Sequence, residues 1–356
     1  MFGFGRKQPP LLGIDISTTA VKLIELSHTP AHSASLFRVQ SYAVEPLPSN
    51  AVVEKKITDV EAVGDCLRKA VMRSGSRTKT AAVAVSSSAV ITKIISMPAT
   101  LSDAEMEAEI ELEADQYIPY PLEEVNIDFD VIGTSSSSPD MVDVLLAASR
   151  GENVDDRVSA LDIAGLTATI VDVEAYAMEN ACTLILGGEE DTRDQIVVVA
   201  DVGATTTTFH ALHNGRTVYT REQNFGGLRL IEEVQQRYAL ARDEALKKVV
   251  AGGLPEDYET QVLLPFKEAL AQQVGRALQF FYSSSTFNSA DRILLAGGSA
   301  SIPHIEELVE QRLGIPTTVA NPFSRMSAAP RVQVPSLSRD APGMMVAVGL
   351  ALRGFD

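Results

Sequence analysis

Hydrophobic positions along the chain fall into two hairpin patterns about 186 residues apart. In the first, apolar Leu11 to Ile16 and Val21 to Leu26 flank the polar turn Ser17-Thr18-Thr19. In the second, Val197 to Val202 and Thr207 to Leu212 flank Gly203-Ala204-Thr205-Thr206. Each reads as a strand, a turn of small and hydroxyl residues, and a second strand. An Asp, Asp15 or Asp201, stands where the first strand meets its turn.

The remaining pattern extends each hairpin into a lobe. Leu36 to Val44 alternates as a third strand, and Val60 to Met72 has helical spacing. Thr80 to Val85 and Val90 to Ile95 predict two strands around Ser86-Ser87-Ser88. Past Pro98, Ser102 N-caps an acidic helix over 102–116, with Glu105 completing a capping box and Met106, Ile110 and Ala114 on its apolar side. The proline-aromatic elbow Tyr117-Ile118-Pro119-Tyr120-Pro121-Leu122 follows, then strands over 125–133 and 141–148, a helix over 154–166, a strand over 167–173 and a helix over 174–186. After the second hairpin, Asn214-Gly215 predicts a tight turn into a strand over 217–221. Helices are expected over 228–238, 242–251 and 264–282, a buried strand over 293–296, and helices over 305–312 and 342–352. The repeat is one of whole lobes.

Composition narrows the function. A chain of 356 residues implies two lobes or more. A net charge of −17 argues against a nucleic-acid surface and against direct adhesion to an anionic membrane. Cys66 and Cys182 have no CxxC partner and read as buried structural thiols of a reducing compartment. The first ten residues carry no apolar signal core, and the run Ala341 to Leu352 is too short to span a bilayer, so a cytoplasmic protein is expected. Phe2, Phe4, Arg6 and Lys7 read as a frayed terminus.

The two turns carry candidate chemistry. Small and hydroxyl residues aim backbone N–H groups at one point, and an Asp beside them can hold a hydrated divalent cation. A third element, the strand into Gly297-Gly298-Ser299 and a helix, lets a flat group lie against backbone. Three such turns in this order predict a nucleotide site. Glu174 has two readings, a water-orienting catalytic carboxylate and a helix-dipole partner. No GxxxxGK[ST] loop is present.

This order of motifs resembles the actin-like ATPase superfamily. Asp15-Ile-Ser17-Thr18-Thr19 looks like its first phosphate loop and Asp201-Val-Gly203-Ala204-Thr205-Thr206 like its second. Gly297-Gly298-Ser299-Ala-Ser-Ile-Pro303 is similar to its adenosine motif. Asp172-Val-Glu174 and 342–352 are similar to its two inter-lobe connections. Closer still, Leu11 to Leu23, Glu113 to Glu124 and His213 to Glu222 are similar to the PilM family of type IV pilus assembly proteins. That resemblance implies an α/β actin-like ATPase fold: two ribonuclease-H-like lobes around a nucleotide cleft, with an inserted SHS2-like subdomain of the FtsA and PilM type. It places lobe 1 at 10–97 and 169–190, the insert at 98–168, lobe 2 at 195–225, 226–290 and 291–340, and a closing helix at 341–356.

The same resemblance implies ATP or ADP with Mg²⁺ as cofactors. Asp15, Ser17, Thr18, Thr19, Lys22, Asp201, Gly203, Ala204, Thr205, Thr206, Gly297, Gly298 and Ser299 would contact them. Lys247 or Lys248 would meet the nucleoside, and Asp15 and Asp201 would hold the metal through water. Ser17, and Ala204 with Thr205, stand where relatives often carry glycine, which predicts nucleotide binding with slow hydrolysis at most. The implied partner is the cytoplasmic N-terminal tail of PilN, and through it PilO, PilP and the pilus motor ATPases. The protein would sit at the inner face of the membrane through PilN, and self-association stays open. The elbow residues Tyr117, Ile118, Tyr120 and Leu122 are expected to line the partner groove between lobe 1 and the insert. An FtsA-like filament former and a small-molecule kinase of the same fold are the competing readings.

Overall fold

A computed structural model describes residues 10–29, 35–135, 138–187 and 192–355. The aromatic and basic positions of the first nine residues therefore lie outside the described residues, as does part of the expected crossing at 187–194.

Lobe 1 begins with β1 (Leu12–Ile16), β2 (Ala20–His28) and β3 (Phe37–Pro46), a meander of antiparallel strands. A two-residue hairpin follows, β4 (Val52–Val53) and β5 (Lys56–Ile57). The helix Val60–Ser74 is capped at both ends. Asp59 accepts from the Ala62 N–H at 2.9 Å, and Gly75 ends the helix in the left-handed region. It leads to β6 (Thr80–Val85), which runs parallel to β1.

The chain then leaves the lobe. β7 (Val90–Pro98), β8 (Val125–Thr134) and β9 (Met141–Arg150) form a separate three-stranded sheet with β9 in the centre. The helix Asp103–Glu113 and the short turn Ala114–Gln116 cover one face, burying Met106, Ile110 and Ala114 as their four-residue spacing requires. The Glu105 carboxylate accepts from both the N–H and the hydroxyl of Ser102, at 2.8 Å each.

Two corrections to the expected boundaries follow. Val90 to Pro98 pairs with β9, so the insert's sheet begins at Val90 rather than at residue 98. The helix Gly151–Ile163 packs on Val60–Ser74 and buries Ala160 and Leu161 in the lobe 1 core, so it does not belong to the insert. Periodicity gives each element but not the partner it pairs with.

β10 (Thr167–Val173) returns beside β6, and the helix Glu174–Leu186 crosses toward lobe 2. There β11 (Ile196–Val202), β12 (Thr207–His213) and β13 (Arg216–Gln223) repeat the opening meander. The helices Leu228–Tyr238, Arg242–Ala251 and Leu264–Ser284 lead to β14 (Arg292–Ala296). The helix Ile305–Leu313 leads to β15 (Thr317–Val319). The chain then adds β16 (Ser327–Ala328) to the edge of lobe 1 and ends through the helices Val334–Asp340 and Met345–Leu352.

The two sheets have one plan. Lobe 1 orders its strands β3-β2-β1-β6-β10, and lobe 2 orders them β13-β12-β11-β14-β15, each with two antiparallel and two parallel pairings at matching places. One apolar cluster unites them. It takes Ile24 and Ala82 from the first sheet and Val199 and Leu294 from the second, with Ala177, Met178, Ala347 and Leu350 of the inter-lobe helices between. Burial of this cluster fixes how the lobes face each other and so positions the cleft.

Candidate functional site: an inter-lobe cleft and a neighbouring groove

The three sequence-predicted turns meet between the lobes. In the first, the Ser17 N–H and hydroxyl both bond the Ala20 carbonyl, at 3.0 and 2.8 Å, which tightens the turn and leaves Thr18 and Thr19 at its tip. In the second, the Gly203 N–H bonds the Thr206 carbonyl at 2.9 Å, closing the turn around Ala204 and Thr205. The Ser299 hydroxyl donates to the Gly203 carbonyl at 3.1 Å, so the third turn is tied to the second. Gly297 has a φ of 85°, and a Cβ there would overlap the Val202 carbonyl, so the close approach of these two turns requires glycine. Around Gly298 the space is open. The helix Leu228–Tyr238 begins beside the second turn, with the Leu228 N–H bonded to the Ala204 carbonyl at 2.8 Å.

Charged side chains fill the centre of the cleft. The Lys22 ammonium lies 2.7 Å from the Asp15 carboxylate across the antiparallel pair they occupy. Burial works against the Lys22 charge, but Asp15, Asp201 and Glu174 together hold its pKa above the usual lysine value. Burial pushes the Asp201 carboxyl up, and Asp15 and Glu222 push it further, while Lys22 and Lys55 oppose. Glu174 is likewise raised, by burial first, with Lys55 opposing.

Sequence reasoning missed four residues of this centre: Lys55, Arg157, Thr208 and Glu222. The Lys55 ammonium lies 2.8 Å from Glu174, 2.5 Å from Glu222 and 3.2 Å from the Thr208 hydroxyl. Lys55 occupies the two-residue turn between β4 and β5, where Glu54 and Lys55 both have positive φ, 48° and 63°. Such a turn favours Asn or Gly, and each left-handed non-glycine residue costs about 1 kcal/mol. The buried Arg157 steadies it, donating to the Ala84, Asn153 and Lys55 carbonyls at 2.6, 2.7 and 3.3 Å. Next to Lys55 lies His210, buried and held neutral, its pKa pushed down to about 3 by burial first and by Lys55 second. In the sequence, nothing local to Val52-Val-Glu-Lys-Lys-Ile57 says what its side chains will meet.

Four carboxylates, Asp15, Glu174, Asp201 and Glu222, thus face Lys22, Lys55 and Arg157. With all ionised the buried centre keeps an excess of negative charge. Among the described residues no three acidic, histidine or cysteine side chains are grouped as a ready-made metal cage. Excess carboxylate charge beside turns of backbone N–H groups fits a divalent cation that brings its own oxygen ligands, as a metal–polyphosphate does. Lys247 is exposed on Arg242–Ala251, and Lys248 pairs with Glu244 of its own helix at 3.1 Å.

A groove adjoins the cleft. A cavity of about 230 Å³ lies between lobe 1 and the insert, lined by Ser86, Ile91, Ile118, Tyr120 and Ala148 and rimmed by the Lys55 turn, Arg150 and Glu152. The Arg150 guanidinium lies 5.5 Å from the Tyr120 ring. Of the predicted groove residues, Ile118 and Tyr120 line this cavity, while Leu122 packs into the insert's small core. Tyr117 faces a second depression of about 290 Å³ beside β7, with Lys93 5.8 Å from its ring. β9 is the central strand of the insert's sheet with both edges paired, so among the described residues the unpaired edges of that sheet belong to β7 and β8.

This doubled-lobe plan with a cleft between is the actin-like ATPase fold. A family profile described as type IV pilus assembly protein PilM matches residues 13–355, and the chain belongs to that family. Among solved structures it is similar to a PilM-PilN type IV pilus biogenesis complex, at 27% identity and a TM-score of 0.79, covering 99% of this chain and 100% of the other. It is also similar in fold to the ethanolamine utilization protein EutJ from Carboxydothermus hydrogenoformans, at 18% identity and a TM-score of 0.57, covering 97% and 89% of the two chains. Among the described residues no helix is long and apolar enough to cross a membrane.

Proposed function

We propose that this protein is an ATP-binding scaffold of type IV pilus assembly that docks the cytoplasmic N-terminal tail of PilN. PilO, PilP and the pilus motor ATPases form the wider assembly it serves, at the inner face of the membrane. The observation that carries the nucleotide part is the convergence of Asp15, Lys22, Glu174 and Asp201 in one buried centre between the three turns. Bound Mg²⁺–ATP would supply the positive charge and oxygen ligands that this carboxylate-rich centre lacks. Asp15 and Asp201 would orient the cation through water, and the second and third turns would present N–H groups to the nucleotide. Glu174 is ion-paired with Lys55, so its carboxylate is poorly placed to accept a proton from water, which favours slow turnover. The partner part rests on the cavity between lobe 1 and the insert and on the likeness to a PilM-PilN complex.

Calorimetry tests both parts. Asp201→Ala should weaken binding of ATP with Mg²⁺ by about tenfold or more, the loss of roughly 1.4 kcal/mol. Tyr120→Ala should weaken binding of a PilN-tail peptide and leave ATP binding and the melting temperature unchanged. Unaltered ATP affinity in Asp201→Ala would remove the nucleotide assignment, and unaltered peptide affinity in Tyr120→Ala would move the groove elsewhere. Hydrolysis by the purified protein should stay below about 1 s⁻¹, the low end for kinases.

A further inference from the structure

Lys55 belongs to lobe 1, yet two of its three partners belong to lobe 2. Its turn is built into the first lobe, and Arg157 of the same lobe holds the Lys55 carbonyl. Glu174 starts the connection that leaves lobe 1, whereas Thr208 lies on β12 and Glu222 on β13. We infer that Lys55 is a latch that ties the lobes together across the cleft and so sets how fast a bound nucleotide leaves. The inference rests on the nucleotide reading above, and it concerns a residue outside the predicted phosphate-contacting turns.

Three observations point the same way. An ammonium has three N–H donors, and Lys55 has three acceptors within reach, Glu174, Glu222 and Thr208. Its donors are therefore spent on the two lobes. Second, the side chains of Lys55, Glu174 and Glu222 are 17%, 17% and 23% exposed, so water screens the bridge far less than it screens a surface pair. Third, the turn holds two successive non-glycine residues in the left-handed region. Strain of this kind persists where surrounding contacts over-determine it, and here those contacts are the Arg157 bond and the cross-lobe bridge. A lysine kept merely for solubility would not be held in this way. Opening the lobes far enough to release a ligand separates Lys55 from Glu222 and Thr208, so that separation contributes to the barrier for release.

The test is stopped-flow displacement of a fluorescent ATP analogue in the presence of Mg²⁺. Lys55→Met should speed release by about tenfold or more, the effect expected for breaking a partly buried pair worth roughly 1.4 kcal/mol or more. Glu222→Gln removes only the charge on the lobe 2 side and should speed release in the same direction, which keeps the test decisive if Lys55→Met does not fold. Lys55→Arg should restore slow release at least in part, because a guanidinium can still bridge the carboxylates. Lys69→Met, an exposed charge change on the helix Val60–Ser74, should have no effect. Release unchanged or slowed in both latch variants would overturn the inference. Hydrogen exchange of the nucleotide-free protein separates it from the nucleotide reading. In Glu222→Gln, amides of the Lys55 turn and of β12 should exchange faster whether or not ATP binds. Unaltered exchange there would overturn the latch even if nucleotide binding holds.

Discussion

Gly349 lies against Ala177 where the two inter-lobe helices cross. A Cβ at 349 would overlap the Ala177 carbonyl, so the backbones of Met345–Leu352 and Glu174–Leu186 touch directly. Both residues are buried, and the apolar cluster that joins the lobes is centred here.

Gly349→Ala should therefore push these helices apart. Overpacking of a filled core costs about 1–3 kcal/mol, so the variant should melt several degrees lower. Its nucleotide affinity should fall as well, since the same helices set the spacing of the lobes. Thermal melts and calorimetry read the two effects. A variant that melts like the parent would mean that the crossing yields without cost.

The Asp201 carboxyl has a raised pKa, chiefly from burial. A carboxyl whose folded pKa lies above its unfolded value of about 3.9 stabilises the fold below that value. The contribution is lost as pH rises through the folded pKa. Asp201→Asn should thus raise the melting temperature of the nucleotide-free protein at neutral pH, and the gain should vanish under acid conditions. The same change should lower affinity for ATP with Mg²⁺. Melting curves across a pH series would expose an error if the gain were independent of pH.

Cys182 is buried, and burial followed by the Glu179 charge pushes its thiol up to about 12. Cys66 is buried as well and shifted upward, with burial the main cause. Since the thiolate is the reactive form, neither thiol should react with a chromogenic disulfide reagent in the folded protein. Both should react on unfolding in denaturant. Rapid labelling of Cys182 in the native protein would contradict its packed position between the lobes.

Tyr117 and Tyr120 should behave differently although they stand three residues apart. Tyr117 packs into the insert's cores, so Tyr117→Ala should destabilise the insert by about 2 kcal/mol or more. Tyr120 is 42% exposed on the cavity wall, and Tyr120→Ala should leave stability within about 0.5 kcal/mol of the parent. Denaturant unfolding of both variants distinguishes them.

The strands, the major helices and the doubled hairpin were legible in the sequence because each is dictated locally. Apolar runs bounded by small, hydroxyl-rich turns mark β1, β2 and β11, alternation of period two marks β3, and the four-residue step of Met106, Ile110 and Ala114 marks the helix Asp103–Glu113. Asp15, Asp201 and Gly297 could be read as candidate site residues because three turns of small residues, two of them beside a strand-ending Asp, recur along the chain in one order. Tertiary structure alone decided that Val90–Pro98 joins the insert, that β9 is central, and that Lys55 reaches Glu174 and Glu222. Strand pairing depends on which distant edge offers free hydrogen-bonding groups, and an ion pair depends on where two remote turns end up in space. Glu174 lies 119 residues beyond Lys55 in the chain, and no local preference at either position carries that distance.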